Sequence, residues 1–146
     1  GAGGAARAAA YYCKKRGSKI LYLNRTLSKA EQLRKEFGGT IVNLPRLKAD
    51  DIDVIINATS VGMYPQVQII PLPIKFLRKG QHVFDVVYNE GQTEFLKQAK
   101  NKGAKIISGM DMFIGQAIKQ IEIYSGRSLQ NLEIFRYAKK IVTRNI

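Results

Sequence analysis

The sequence opens on Gly1-Ala2-Gly3-Gly4-Ala5-Ala6, GAGGAA, and the expected fold follows from this stretch. It matches the pattern G-x-G-x-x-G/A, with Ala6 at the third position. In that pattern the first glycine permits a tight turn, the second lets the backbone approach a pyrophosphate, and the small third residue lets a helix pack close to a sheet. Residues 3–16 are Ala-rich and are followed by Gly17, which predicts a helix that ends there. The stretch therefore predicts a dinucleotide-binding loop at a helix amino end.

Beyond the loop, short apolar runs alternate with helical patterns. Strands are predicted at KILYL (19–23), TIVNL (40–44), DVIINAT (53–59), HVFDVVY (82–88) and KIIS (105–108). Helices are predicted after residue 28 and over 92–102, 111–125 and 129–143. The alternation predicts an α/β fold, a Rossmann-like doubly wound parallel sheet with C-terminal helices. Because no strand precedes the glycine loop in the sequence, we expect the first strand of the sheet to be missing from the chain.

Two local features sharpen this prediction. Ser28 is expected to cap the second helix, with Glu31 completing a capping box and Gly38-Gly39 ending the helix. The run at 53–59 is continuously apolar, which predicts a central strand buried on both faces.

The composition is that of one globular domain spanning residues 1–146, with 45% hydrophobic and 24% charged residues. The single cysteine, Cys13, rules out an internal disulfide and favours a reducing, cytoplasmic location. No apolar run approaches the length of about 18 residues that a membrane helix needs, so no membrane association is expected. No cluster of metal-ligating residues is apparent, and no metal site is predicted.

The net charge of +13 leaves two interpretations open. A nucleic-acid surface is one, because Lys and Arg displace counterions from phosphates. The other is that basic side chains cover solvated helix faces and attract a phosphorylated cofactor. The basic residues are scattered and do not interleave with aromatics, so no nucleic-acid partner is expected.

The residues after the second strand indicate which dinucleotide is bound. An NAD site has an Asp or Glu here to hold the ribose hydroxyls, whereas this chain has Asn24-Arg25-Thr26. Arg25 offers a planar fork for a 2′-phosphate, and Lys29 can reach the same phosphate from the next helix. The sequence therefore predicts NADP rather than NAD.

Five motifs then occur in a specific order: GAGGAARA, NRTLSK, NATSVGM, DVVYN followed by Thr93, and GMDMFIGQA. Together they resemble the C-terminal, cofactor-binding half of NADP-dependent shikimate dehydrogenase, and the resemblance spans nearly the whole chain. It implies reversible NADPH-dependent reduction of 3-dehydroshikimate to shikimate, a step of chorismate and aromatic amino-acid biosynthesis.

The resemblance also implies roles for individual residues. Gly1, Ala2, Gly3, Gly4 and Ala5 would hold the pyrophosphate. Three further groups of cofactor contacts are implied: Asn24, Arg25, Thr26 and Lys29 at the 2′-phosphate, Thr59 and Ser60 near the ribose, and Val86 and Gly109 at the nicotinamide. Tyr88 and Gln116 would contact the substrate. Met63 and Met112 are expected to be packing residues, although both also resemble family positions close to the nicotinamide. Asp85 is expected to be structural.

No catalytic residue is predicted in this chain. In the family that it resembles, a Lys and an Asp of an N-terminal substrate domain supply the proton relay, and no matching motif occurs here. We therefore expect that domain to be absent from the chain, the isolated chain to be inactive, and the last helices (111–146) to pack toward the missing domain. The oligomeric state stays open between monomer and homodimer.

Several other functions remain possible from the sequence. A quinate/shikimate dehydrogenase differs mainly in its substrate and often in its cofactor. The nucleotide domain of a glutamyl-tRNA reductase is related, but its motifs fit less well. A non-catalytic NADP-binding fragment or sensor would bind the cofactor without turnover.

Overall fold

The computed structural model describes residues 1–89, 91–129 and 131–144. Parts of the helix predicted at 129–143 and of the segment 111–146 lie outside them. Helices and strands alternate from α1 to β2 and again from β4 to β5, short 3-10 turns separate β2, β3 and β4, and two helices follow β5. The helices are α1 (Gly4–Lys15), α2 (Leu27–Phe37), α3 (Glu94–Asn101), α4 (Gly109–Ser125) and α5 (Leu132–Arg144). The strands are β1 (Leu21–Tyr22), β2 (Thr40–Ile41), β3 (Val54–Asn57), β4 (His82–Asp85) and β5 (Lys105–Ile107).

All strand pairs in the described residues are parallel. β1 pairs with β2, and β3, β4 and β5 form a second group in that order. The register sets Asn57, the last residue of β3, opposite Asp85, the last residue of β4. The carboxyl ends of these strands therefore meet at one sheet edge, where ligands bind in open α/β sheets. The predicted parallel α/β fold is confirmed.

The start of α2 differs from the prediction. The residue before the helix is Thr26, which makes no side-chain capping bond, and Ser28 lies inside the first turn. Glu31 forms an ion pair with Arg34 on the next turn instead of closing a capping box. The amide of Asn24 donates to the Thr26 carbonyl at 2.8 Å. The helix begins at Leu27, one residue before Ser28, so Ser28 cannot cap it and the predicted capping box is wrong.

The burial predicted for the strand at 53–59 is also wrong at its start. Val54 is 53% exposed, whereas Asn57 at its end is buried. On one side β3 pairs with β4, and no strand pairs with its other side in the part of the chain that the structure describes. An edge strand keeps part of its surface in solvent, so the apolar run does not by itself guarantee burial.

Two apolar clusters hold the sheet edge in place. One joins α1, β1 and α2 through Ala6, Ala10, Tyr22, Ala30 and Leu33. The small alanines let the two helices approach the strand closely. The other cluster packs β4 and α3 against the segment around residue 76. Within the described ranges, no helix combines the length and apolar character needed to span a membrane.

Candidate functional site

The glycine loop lies between the carboxyl ends of β1 and β3. The nitrogen of Gly1 donates to the Leu23 carbonyl at 2.9 Å, just past β1. A Cβ atom on Gly1 would lie only 2.4 Å from the carbonyl oxygen of Ala58, just past β3. Because that neighbour is backbone and cannot rotate away, glycine is required at this contact. The first glycine of the pattern therefore brings the two strand ends together.

The amino end of α1 is open to an anion. Gly3 precedes the helix in an extended conformation, and no side chain caps it. The first turn contains no acidic residue, and a Cβ on Gly3 or Gly4 would meet no atom within 4 Å. The first backbone N–H groups and the positive end of the helix dipole thus face accessible space. This geometry fits a phosphate group.

A positively charged group lies beside this loop, at the start of α2. Arg25 and Lys29 are exposed, and neither makes an ion pair within the described residues. Other basic residues nearby are compensated, because Arg7 pairs with Glu36 and Arg34 pairs with Glu31. The first turn of α2 also lacks acidic residues. The uncompensated charge at Arg25 and Lys29 fits a second, terminal phosphate.

The loop after β3 is held by a buried polar cluster. The amide of Asn57 donates to the Asp85 carboxylate at 2.9 Å. Its carbonyl oxygen accepts from the Thr59 hydroxyl at 2.6 Å and from the Thr59 amide at 3.1 Å. Ser60 follows in an exposed position. Burial raises the pKa of Asp85, while donors from Thr93, Val87 and Asn57 oppose that rise.

The start of α4 lies against the backbone that follows β4. Gly109 is buried, and a Cβ there would lie 2.7 Å from the Val86 carbonyl oxygen and 2.4 Å from that of Val87. Ser108 and Asp111 cap this helix reciprocally. Burial tends to raise the pKa of Asp111, but hydrogen bonds from Lys139 and Ser108 hold that pKa below its ordinary value. The structure thus brings Val86 and Gly109 together.

Tyr88 extends the same edge toward α4. It is 44% exposed, and its ring lies 5.8 Å from that of Phe113, centroid to centroid. Gln116 is exposed on α4 and follows Phe113 by three residues, so both side chains lie on one side of the helix. Tyr88 and Gln116 therefore face the same region.

Three further residues lie at this edge: Phe113, Met63 and Met112. Phe113 was not singled out, because a lone aromatic in a helix is usually a core residue. Met63 and Met112, expected to be packing residues, are 51% and 36% exposed, so that prediction is wrong. Met63 lies on the segment that follows β3 and Met112 lies at the start of α4, and neither belongs to the two apolar clusters.

The predicted residues form an elongated row rather than one compact cluster. Arg25 and Lys29 lie at the β1 end, and Tyr88 and Gln116 lie at the β4 and α4 end. The glycine loop and the Thr59 loop lie between the two ends, in contact at Gly1 and Ala58. Such a row suits an extended ligand with phosphates at one end and in its middle.

Comparison with known proteins agrees with this geometry. The family model "Shikimate / quinate 5-dehydrogenase" matches residues 1–65. A shikimate dehydrogenase (NADP(+)) of Methanocaldococcus jannaschii is 39% identical over an alignment of 153 positions, and the match covers 94% of this chain and 52% of that protein. The resemblance to shikimate dehydrogenase is confirmed. The chain spans about half the length of most of the shikimate dehydrogenases that it matches.

Solved structures of shikimate dehydrogenases also share the fold of this chain. A shikimate dehydrogenase crystallised with NADP⁺ superposes with a TM-score of 0.82 at 36% identity, covering 98% of this chain and 53% of the other. A 5-ketofructose reductase of a Gluconobacter species, solved without ligand, reaches 0.78 at 32% identity, covering 97% and 54%. The same fold of shikimate dehydrogenase is thus shared with a reductase of a different carbonyl compound.

Proposed function

We propose that this chain is the NADP-binding half of a shikimate dehydrogenase, which reduces 3-dehydroshikimate reversibly with NADPH. The observation that carries the proposal is the open amino end of α1 beside the uncompensated Arg25 and Lys29. This arrangement suits a pyrophosphate at the helix and a separate 2′-phosphate at the two basic residues, the two phosphate sites that NADP requires. The relatives named for NADP(+) and the neighbour solved with NADP⁺ support the same cofactor.

The cofactor contacts follow the row of residues along the sheet edge. Gly1, Ala2, Gly3, Gly4 and Ala5 hold the pyrophosphate through backbone N–H groups. Asn24, Arg25, Thr26 and Lys29 bind the 2′-phosphate, and Thr59 and Ser60 lie beside the ribose. Val86 and Gly109 form the nicotinamide end through backbone groups. When bound, the reduced cofactor supplies the hydride for the carbonyl carbon.

The substrate contacts from this chain are Tyr88 and Gln116. A phenol and an amide offer neutral hydrogen bonds to hydroxyl and carboxylate groups. The contact with Phe113 limits the orientations of the Tyr88 ring. Tyr88 therefore presents its hydroxyl in a restricted direction beside the nicotinamide end.

The remaining parts of the enzyme belong to a second domain in this proposal. That domain supplies the Lys and Asp of the proton relay, and α4 and α5 pack toward it. Large apolar side chains on these helices are exposed here, which supports such a contact: Ile121, Ile123, Tyr124, Leu132 and Tyr137. The single cysteine favours the cytoplasm as the location.

A substrate other than 3-dehydroshikimate is the main alternative. The likeness to 5-ketofructose reductase supports it, because the cofactor half leaves much of substrate recognition to the second domain. A quinate/shikimate dehydrogenase shares the same family model. Turnover of shikimate, quinate and fructose compared in the assembled enzyme distinguishes these functions.

The proposed cofactor choice is tested by Arg25→Ala. We expect the affinity for NADP⁺ to fall by about ten- to a hundredfold, because a hydrogen bond between charged groups is lost. The affinity for NAD⁺, which lacks the 2′-phosphate, should change by less than about twofold. Calorimetric titration of NADP⁺ and NAD⁺ into the wild type and the variant gives, for each nucleotide, the ratio of the two dissociation constants.

Lys35→Ala is the matched control for Arg25. Lys35 is also an exposed basic residue of α2, but it lies in the last turn of the helix. Its removal lowers the net charge equally and should leave the preference for NADP⁺ intact. An equal loss of NADP⁺ affinity in both variants would show that Arg25 contributes only general electrostatic attraction and makes no specific contact with the 2′-phosphate.

The substitution Gly3→Ala should weaken NADP⁺ binding while leaving the stability of the fold nearly unchanged. The added methyl group enters open space, so the free energy of unfolding should change by less than about 1 kcal/mol. The same methyl group stands where the pyrophosphate approaches, and NADP⁺ affinity should fall by about tenfold. Thermal unfolding and titration of one preparation measure both effects. Unchanged affinity would mean that the pyrophosphate binds elsewhere.

A further inference from the structure

Asp85 is the fully buried carboxylate at the end of β4, with 0% of its surface exposed. One oxygen accepts from the Asn57 amide at 2.9 Å and from the Val87 backbone amide at 3.0 Å. The other accepts from the Thr93 hydroxyl at 2.7 Å. An ionised carboxylate accepts hydrogen bonds only, and these three donors occupy both of its oxygens.

The donors come from three different segments at the functional edge. Asn57 ends β3 and in turn holds the Thr59 hydroxyl and amide. The Thr59 hydroxyl then accepts from the Val61 amide at 3.0 Å. Val87 lies in the loop after β4, between Val86 and Tyr88, and Thr93 caps α3. One carboxylate thus links the loop after β3 with the loop after β4.

We infer that Asp85 is a positioning residue, whose carboxylate sets the loop carrying Thr59 and Ser60 relative to the loop carrying Val86 and Tyr88. Loss of the carboxylate would leave three buried donors without an acceptor, which is costly wherever they lie. Because each of these hydrogen bonds also fixes one segment at a specific place, the same loss should release the two loops. The expected effect of Asp85 on cofactor binding rests on the proposed function, because that proposal assigns cofactor or substrate contacts to both loops.

The same strand provides a matched control at its other end. Gln81 precedes β4, is also 0% exposed, and also bonds several loop groups: the Arg78 amide and the Ala49 and Ile52 carbonyls. It lies at the sheet edge opposite to Asp85. Loss of either side chain removes three side-chain hydrogen bonds, buried at Asp85 and partly buried at Gln81, but only Asp85 touches the functional edge.

Amide hydrogen exchange in the 146-residue chain tests the inference without any cofactor. In Asp85→Ala, the Thr59, Val61 and Val87 amides should exchange about tenfold faster, since the bonds that order them are lost. The His82 amide, which bonds the Asp53 carbonyl at the opposite edge, should be unaffected. Gln81→Ala should reverse this pattern. Asp85→Asn keeps one carbonyl acceptor for Asn57 and Val87 and should restore most of the protection.

A second variant covers the case in which Asp85→Ala does not fold. Asn57→Ala removes the link to Thr59 but leaves Asp85 bonded to Val87 and Thr93. Thr59 and Val61 should then lose protection, while Val87 keeps it. Wild-type protection of Thr59 and Val61 in Asp85→Ala, or in Asn57→Ala where Asp85→Ala does not fold, would overturn the positioning role.

Titration with NADP⁺ tests the consequence separately. Asp85→Ala should weaken NADP⁺ binding by about tenfold, whereas Gln81→Ala should leave it within about twofold of wild type. Faster exchange at Thr59 and Val61 with unchanged NADP⁺ affinity would retain the positioning role and would contradict the proposed cofactor site.

Discussion

The 146-residue chain on its own should form no measurable NADPH from shikimate and NADP⁺. A carbonyl reduction and its reverse need a group that exchanges a proton with the reacting oxygen, and such a group is worth about 10²–10⁴ in rate. The proposed substrate contacts of this chain are Tyr88 and Gln116, which orient a substrate but do not form a proton relay. The substrate would also be held from one side only, which forfeits much of the gain from orientation.

Joining the chain to a second domain should restore turnover. In the proposed enzyme, the portion of the Methanocaldococcus jannaschii relative that lies outside the match, fused ahead of Gly1, would supply the second domain. NADPH absorbance then reports shikimate oxidation by the fusion, by the isolated chain and by the added portion alone. Activity of the isolated chain would contradict the proposed division of roles. A fusion that binds NADP⁺ selectively but never turns over would favour a non-catalytic NADP-binding module.

The fusion also tests the proposed contact of α4 and α5. If these helices pack against the second domain, Tyr124 and Leu132 should become protected from solvent in the fusion. Both are more than half exposed in this chain, at 86% and 63%. Unchanged exposure of both side chains would place the second domain elsewhere.

Gly109→Val should destabilise the protein by about 2–3 kcal/mol, the upper part of the range for overpacked sites. The first added atom would lie 2.4 Å from the Val87 carbonyl oxygen and 2.7 Å from that of Val86. Both neighbours are backbone, so α4 must move away from β4 to admit the side chain. Urea unfolding measures the loss of stability directly.

Gly115→Ala on the same helix is the matched control for Gly109. A Cβ at Gly115 would meet no atom within 4 Å. Alanine is a better helix former than glycine, so this variant should gain about 0.5–1 kcal/mol. Stability changes of opposite sign at these two positions of one helix distinguish the effect of a close backbone contact from that of helix propensity. Equal effects at both positions would contradict the packing of α4 described here.

Local patterns predicted much of this fold. The glycines after α1, α2 and α4 have φ values of 69°, 77° and 67°, as expected for residues that end helices. The parallel pairing of β4 with β5 follows from the helix α3 between them, whereas β3 and β4 pair in parallel across a segment that contains only a short 3-10 turn. The capping of α2 was missed because Asn24, not Ser28, orders the turn before the helix. A side-chain bond to a carbonyl two residues away leaves little trace in a sequence pattern.

The sequence by itself determined the α/β class, the glycine loop at a helix amino end and the basic residues after the second strand. These features depend on the periodicity of apolar residues, on the positions of glycines and on the charges of side chains, all of which can be read from residues close together in the chain. Only the tertiary structure decided that Asp85 holds Asn57, that Gly109 lies against Val86 and Val87, and that Tyr88 meets Phe113. These contacts join residues more than 20 positions apart, and they form only when the parallel strands bring their carboxyl ends to a common edge.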